Sequence, residues 1–421
     1  MKQTKQKSPS KSALPPPITV DTPLKLIATV ALLGRETLLA LDTESNSLHA
    51  YQERVCLIQV STRKHDYIID PLMLSRDDLR PFGMLLADPS IEKVFHAAEY
   101  DLLCLKRDYG FMVENLFDTM IAARVSGLKE TGLGNLVRNF FNIEMDKTHQ
   151  RDDWGERPLP DDSLLYAQMD THYLPILRDQ LLARLGQEGR LEEAREWFDE
   201  VAHFPPGKPR QHDTHSFWRL ALPNQLPLEQ CAILQAVYDT RERIAQRRDM
   251  PPFKIVADQT LVNIARTVPL PTRVHDLRHI SGIAQSQSER YGEALIEAVR
   301  AGLSAPLPKP PPPDPPADPL MVERYSALRE WRKGRAAQRG VEADVIVSKD
   351  ALWMLAERAP TSVEAIGNLR GFGAWRRESY GAEVIAVLRR VLHEQGHVSS
   401  SEPASSEPAS SEPRSSEQGE E

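Results

Sequence analysis

Cysteine is nearly absent: three in 421 residues, Cys56, Cys104 and Cys231, far apart and with no CxxC pair. That excludes a disulfide framework and a thiolate zinc site, and it fits a reducing compartment. Long apolar runs are missing too. The longest, residues 26–33, falls well short of the roughly 20 residues that a membrane-spanning helix needs, so no membrane partner is expected. The basic start, MKQTKQKSPSKSALPPP, has no apolar secretory core and runs into prolines, so residues 1–19 are expected to form a disordered arm and the protein to stay in the cytoplasm. No GxxxxGK[ST] phosphate loop occurs, which argues against a nucleotide-driven helicase.

What is abundant is charge. The formal net charge is -8, which alone speaks against a nucleic-acid partner. The tail SSEPASSEPASSEPRSSEQGEE, however, holds six Glu against one Arg, so about five of those charges sit in a Ser/Glu/Pro repeat that cannot bury enough apolar surface to fold. A length of 421 residues suggests two to four domains, at roughly 100–200 residues each. PLPKPPPPDPPADP reads as a stiff spacer, and FPPGKPRQHD as a weaker boundary. The expected plan is a first domain over 20–205, a linker over 206–219, a helical domain over 220–303, a Pro-rich linker over 304–319, a second helical domain over 320–394 and an acidic tail over 395–421.

The two helical domains read as copies of one another. KIVADQTLVNIA aligns with VIVSKDALWMLA; each copy is preceded by an Arg-rich stretch and ends in a Gly-containing turn and a Tyr-Gly pair. Their apolar positions recur at helical spacing, as expected of small all-α bundles. Arg241, Arg243, Arg247 and Arg248 in the first copy, and Arg329, Arg332, Lys333, Arg335 and Arg339 in the second, either meet phosphates or form solvated helix faces paired with Glu.

The first domain differs. Short runs rich in Val, Ile and Leu at 38–41, 55–60, 67–69 and 94–95 are followed by helical patterns, the longest being DSLLYAQMDTHYLPILRDQLLARL. This is expected to be an α/β domain with a mixed sheet. In the strand LLALDTES, alternation puts Asp42 and Glu44 on one face. Two carboxylates held together repel unless a cation lies between them, although an Asp-x-Glu triplet by itself is most often a solvated edge. Asp101 falls in the first turn of a helix after a short strand ending near His96, where it would also serve as a cap-region residue. Tyr166 and Asp170, four apart on a helix, share a face at the edge of an apolar stripe of Leu164, Leu165, Met169, Tyr173, Leu174 and Leu177.

Strand Asp-x-Glu, then His-Ala-x-x-x-Asp, then Tyr-x-x-x-Asp resembles the DEDD 3′-to-5′ exonuclease superfamily in its tyrosine branch. The position that holds His in the related branch is Leu165 here, and His172 is at the wrong spacing to replace it. The whole plan is similar to the ribonuclease D family: an α/β exonuclease domain of the ribonuclease H-like fold, then two of the helical domains shared by helicases and ribonuclease D. The resemblance implies a metal-dependent 3′-to-5′ exoribonuclease, a monomer acting on single-stranded RNA 3′ ends, with transfer RNA precursors as substrate class. It implies two divalent cations, Mg²⁺ or Mn²⁺, one held by Asp42, Glu44 and Asp170 and one by Asp42 with Asp101, while Tyr166 orients the attacking water. Leu48, His96, Trp154 and Arg157, the last two within HQRDDWGERPLP, are candidates for contact with base or phosphate. DNA in place of RNA, or an RNA-binding scaffold without catalysis, are the alternatives; the scaffold would predict erosion of the carboxylates, and all of them are present.

Overall fold

The structure, a computed structural model, describes residues 14–203, 215–312 and 318–399. The arm up to residue 13, the FPPGKPRQHD boundary and the acidic tail from residue 400 lie outside the described residues. The chain divides into two compact units, Met1–Pro316 and Ala317–Glu421.

The first unit begins with β1 (Ile18–Val20), α1 (Pro23–Leu33), β2 (Leu38–Ser45), β3 (Val55–Ser61), β4 (Asp66–Ile69), α2 (Arg76–Leu86), β5 (Glu92–Phe95), α3 (Glu99–Tyr109), β6 (Leu116–Asp118) and α4 (Thr119–Val125). There follow α5 (Leu133–Phe141), a 3-10 turn at Thr148–Arg151, α6 (Asp161–His172), α7 (Leu174–Gln187) and α8 (Leu191–Ala202). The six strands form one sheet in the order β1-β4-β3-β2-β5-β6. β3 runs antiparallel to β2 and β4, while β2–β5, β5–β6 and β1–β4 are parallel. The sheet is mixed, as expected, and β3 is buried along its whole length. In β2 the apolar half, 38–41, is buried and the half from Asp42 to Ser45 is partly open, so the carboxylates emerge where the strand leaves the core.

Several boundaries move. β1 begins inside the stretch expected to be a disordered arm: Ile18–Val20 pairs with Tyr67–Ile69 of β4, and three residues are too few for alternation to be visible in sequence. β6 is equally short, and its three residues carry no alternation that marks a strand. The long helix expected after residue 161 is two, with Tyr173 at the junction between α6 and α7. Its core face is also different, since α6 buries Ser163, Ala167, Gln168 and Thr171 while Leu164, Leu165 and Met169 are only half-buried. The helix packs on β3, β2 and β4, and small or hydrogen-bonded side chains allow it a close approach. Ser61 Oγ meets Thr171 Oγ1 at 2.7 Å, and Gln168 Nε2 donates to Asp66 at 2.7 Å.

The unit continues with α9 (Trp218–Ala221), α10 (Leu228–Arg248), α11 (Pro252–Ile255), α12 (Asp258–Arg266), α13 (Val274–Leu277) and α14 (Gln285–Ser304). Phe217 and Trp218, placed by sequence in a linker, are buried in this helical core, because the flanking prolines hide an aromatic pair that needs cover. The second unit comprises α15 (Pro319–Arg339), α16 (Ala343–Ile346), α17 (Lys349–Arg358), α18 (Val363–Ile366) and α19 (Ala374–Ser399), so its last helix runs past the expected end at 394.

The repeat extends to single contacts. Arg241 Nη1 donates to the Val256 carbonyl at 3.1 Å, and Arg332 Nη1 to the Val347 carbonyl at 3.0 Å. A Cβ on Gly292 would stand 2.6 Å from a Val274 methyl, and one on Gly381 would stand 2.9 Å from a Val363 methyl. The glycine of each Tyr-Gly pair therefore lets the last helix close on the short helix before it. Much of the arginine is thus structural. Arg241 is buried and paired with Asp258 at 2.6 Å, Arg335 pairs with Glu383, and Arg339 donates to Tyr380 at 2.5 Å. Arg243, Arg247, Arg248 and Lys333 are the exposed members of the two clusters with Arg329.

Gly302 has no counterpart in the second copy, where Val391 stands at the 89-residue offset. A Cβ there would meet the Ile233 Cα at 2.6 Å and the Ala232 carbonyl at 3.0 Å, so the crossing of α10 and α14 depends on its absence. Gly302→Ala is expected to cost about 1–3 kcal/mol through overpacking against backbone that cannot rotate away. Thermal unfolding checks it; an unchanged midpoint would show that the two helices separate freely.

Candidate active site

The carboxylates expected to act together converge. Asp42 and Glu44 project from the open end of β2, Asp170 reaches them from α6, and one carboxylate oxygen from each lies within 4.8 Å of the others. Asp101 comes from the first turn of α3. Its Oδ1 accepts the Thr43 backbone N–H at 3.1 Å and the Thr43 hydroxyl at 2.5 Å. That fixes one carboxylate against the backbone between the other two, a part for Thr43 that no local spacing suggests. The site opens into a cleft of about 300 Å³ whose lining includes Asp42, His96, Tyr166 and Asp170, together with Gly132, Lys147 and Gln150.

Electrostatics follow from burying acids together. Burial pushes Glu44 up to about 9, with Asp170 and Asp101 adding repulsion. Asp42 is raised well above the usual carboxylate range, by burial first and then by Asp101, Asp170 and Glu44. Burial raises Asp101 to about 7 against the opposing hydrogen bonds from Thr43. Asp170 also rises to about 7, again through burial, and its interaction with the Tyr166 hydroxyl works against the shift. The Tyr166 phenol is pushed above its ordinary value by burial and by the three nearby carboxylates. Such a cluster is uncomfortable by itself and gains from positive charge.

The donor set fits hard divalent cations. All four candidate groups are carboxylates, and with metal–oxygen distances of roughly 2.0–2.6 Å two oxygens on one ion stand no more than about 4–5 Å apart. Three of these oxygens lie within 4.8 Å of one another, close to that spacing. Zinc-type chemistry has no support from sulfur here, as Cys56 and Cys104 are buried and pushed up to about 11 and about 12 by burial.

The four candidate substrate contacts separate. His96 lines the cleft. Its Nδ1 lies 2.9 Å from Thr119 Oγ1, which itself donates to the Phe95 carbonyl, so Nδ1 carries the proton and Nε2 is left as an acceptor. Burial lowers its pKa, keeping the ring neutral. Leu48 is 41% exposed on the loop between β2 and β3, outside the cleft lining. Trp154 is not a surface contact: it is 1% exposed and packs on Cys56, Leu57, Ile68 and Ala167. Arg157 is likewise a clamp, with Nε and Nη2 on Asp70 at 2.5 and 2.8 Å, Nη2 on the Cys56 carbonyl at 2.7 Å and Nη1 on the Trp154 carbonyl at 2.8 Å. The planar guanidinium fork matches the Asp70 carboxylate in this bidentate geometry. The Trp-and-Arg segment thus holds α6 over the sheet.

Asp118 escaped the sequence reading. It caps α4 through Met120 and Ile121 N–H groups and accepts from Ala97 N at 3.2 Å and Ala98 N at 2.7 Å. Ala97 has φ +61, a left-handed conformation that a non-glycine residue adopts at a cost. The buried Asp118 carboxylate holds that turn, and with it the placement of His96 and Asp101. Only the apposition of β5 and β6 brings these residues together.

Comparison with known proteins adds an independent line. A family model described as 3'-5' exonuclease matches residues 17–186, and the HRDC domain model matches 230–299 and 322–388. The chain is 33% identical to "Ribonuclease D" of Gluconacetobacter diazotrophicus over 295 residues, 69% of this chain and 73% of that protein. It is 28% identical to the Granulibacter bethesdensis "Ribonuclease D" over 386 residues, 90% of this chain and 94% of that one. Among solved structures, Escherichia coli RNase D, an exoribonuclease involved in structured RNA processing, superposes with a TM-score of 0.61 at 25% identity, covering 90% of this chain and 99% of its own.

Proposed function

The chain belongs to the ribonuclease D family and is a 3′-to-5′ exoribonuclease, and from that premise we propose how it works and on what: two divalent cations, Mg²⁺ or Mn²⁺, held by Asp42, Glu44, Asp101 and Asp170, serve hydrolysis at the 3′ ends of RNA, transfer RNA precursors among them. The observation that carries this reading is the gathering of Asp42, Glu44 and Asp170 oxygens within 4.8 Å from two elements more than a hundred residues apart in sequence. Asp42, Glu44 and Asp170 would hold one cation, and Asp42 with Asp101 the other. Bound there, the cations supply Lewis-acid stabilisation of the leaving 3′ oxygen and lower the pKa of the attacking water.

The protein's own groups do the rest. Thr43 keeps the Asp101 carboxylate in place through two hydrogen bonds. The Tyr166 hydroxyl, beside Asp170, orients the attacking water and accepts part of its hydrogen-bonding. Neutral His96, with Nε2 as an acceptor in the cleft wall, contacts sugar or base near the reacting end, where a 2′-hydroxyl can donate to it. Leu48, exposed on its loop, remains available to press on the terminal base. The working unit is the single chain, acting in the cytoplasm; the three free, buried thiols suit that compartment. Among the described residues no helix is long and apolar enough to cross a membrane.

The test uses 5′-labelled single-stranded RNA and DNA of matched sequence with Mg²⁺, Mn²⁺ or a chelator. A ladder shortening from the 3′ end of RNA, lost with chelator, is expected; products without metal would remove the cations from the reading, and equal rates on DNA would remove the RNA preference. In the same assay Tyr166→Phe should lower kcat about 10²-fold, the scale of one positioned proton-handling group, with metal affinity little changed. Unaltered turnover would take Tyr166 out of the mechanism.

A further inference from the structure

Gln59 carries a side-chain amide that the site described above leaves unused. The residue is 0% exposed in β3, among apolar neighbours, and neither its Oε1 nor its Nε2 has a hydrogen-bond partner. A buried amide left unsatisfied destabilises the fold, and leucine of similar size would fill the same space without that penalty.

Its place in the sheet suggests why the amide is there. The register pairs Gln59 directly with Asp42 on β2 and with Ile68 on β4. Directly paired residues put their side chains on the same face, with Cβ atoms about 4.5–5.5 Å apart, so the Gln59 side chain leaves the sheet next to that of Asp42. The neighbours of Gln59 on that face of β3 are Leu57, which clusters with Trp154 and Ala167, and Ser61, which meets Thr171. Gln59 therefore lies beneath the stretch of α6 that carries Asp170.

We propose that Gln59 is a positioning residue whose Nε2–H donates through one bridging water to the Asp42 oxygen facing away from bound cation, holding that carboxylate in the orientation that serves both cation positions. The proposal rests on Asp42 being a metal ligand. A neutral amide suits the task better than Lys or Arg would. It orients the carboxylate without neutralising the charge that the cations need, and outer partners of this kind typically account for 10–100-fold in metal affinity.

The experiment compares full-length wild type, Gln59→Leu, Gln59→Met and Asp42→Asn by Mn²⁺ titration calorimetry, by thermal unfolding in chelator and by RNA turnover. For both Gln59 variants the expected result is a metal-free midpoint equal to or above wild type, Mn²⁺ affinity 10–100-fold weaker, and a fall in kcat with KM for RNA unchanged. Wild-type Mn²⁺ affinity in either folded Gln59 variant overturns the proposal. So does an affinity loss that comes with a lowered metal-free midpoint in both, which would mark Gln59 as packing alone. If Asp42→Asn itself binds Mn²⁺ like wild type, the ligand role of Asp42 fails first and Gln59 with it.

Discussion

Asp42→Asn is expected to leave a folded protein whose RNA 3′-end cleavage is at least ~10³-fold slower; loss of a single positioned donor in other active sites already costs 10²–10³. Asparagine keeps the shape of the side chain and removes the charge. In the metal-free protein that removal is relieving, since Asp42 is held well above the usual carboxylate range by burial and by Asp101, Asp170 and Glu44 around it. The unfolding midpoint in chelator should therefore stay level or rise while activity collapses. No packing residue behaves in that way. Single-turnover cleavage of 5′-labelled RNA measures the first quantity and a thermal melt the second. Activity within tenfold of wild type would sink the assignment of Asp42 to the metal site.

Trp154→Ala should have the largest effect on stability, a loss of about 3–5 kcal/mol, as for a large aromatic deleted from a core. Trp154 is 1% exposed and joins β3 and β4 to α6 through Leu57, Ile68 and Ala167. Its ring lies 6.1 Å from that of Tyr166, so its removal loosens the helix that bears both Tyr166 and Asp170. Well below the lowered midpoint, the surviving folded enzyme should show a reduced kcat and an RNA KM near that of wild type. Trp154→Phe, which keeps much of the volume and drops a buried N–H without a partner, should fall between the two. A raised KM with an unchanged melt would instead restore Trp154 to the substrate-facing surface.

The two variants also mark how far the sequence could be read. The carboxylate spacings were legible because they are consequences of local backbone geometry: two residues apart on a strand, four on a helix. The tandem repeat was legible because self-similarity needs no structure, and its deeper content appears in the paired contacts of Arg241 with Val256 and Arg332 with Val347. The side on which Trp154 and Arg157 lie was not legible. Their segment has no periodicity, and an arginine two turns from an active-site helix reads the same whether it meets phosphate or Asp70. The core face of α6 was misread for a related reason, since Ser163, Gln168 and Thr171 look exposed by type and are buried by partners such as Ser61 and Asp66.

By itself, then, the sequence determined that β2 presents Asp42 and Glu44 on one face, that Tyr166 and Asp170 share a helical face, and that an α/β domain precedes two copies of one helical bundle. Only the tertiary structure decided that these faces meet, that Thr43 and Asp118 hold their neighbours in place, and that a buried Gln59 pairs in register with Asp42. Spacing along a strand or helix is set by bonded geometry within a few residues. Burial and pairing between segments 20 to 130 positions apart depend on strand order, on register and on how closely α6 can settle on the sheet, and those belong to the packing of the whole domain.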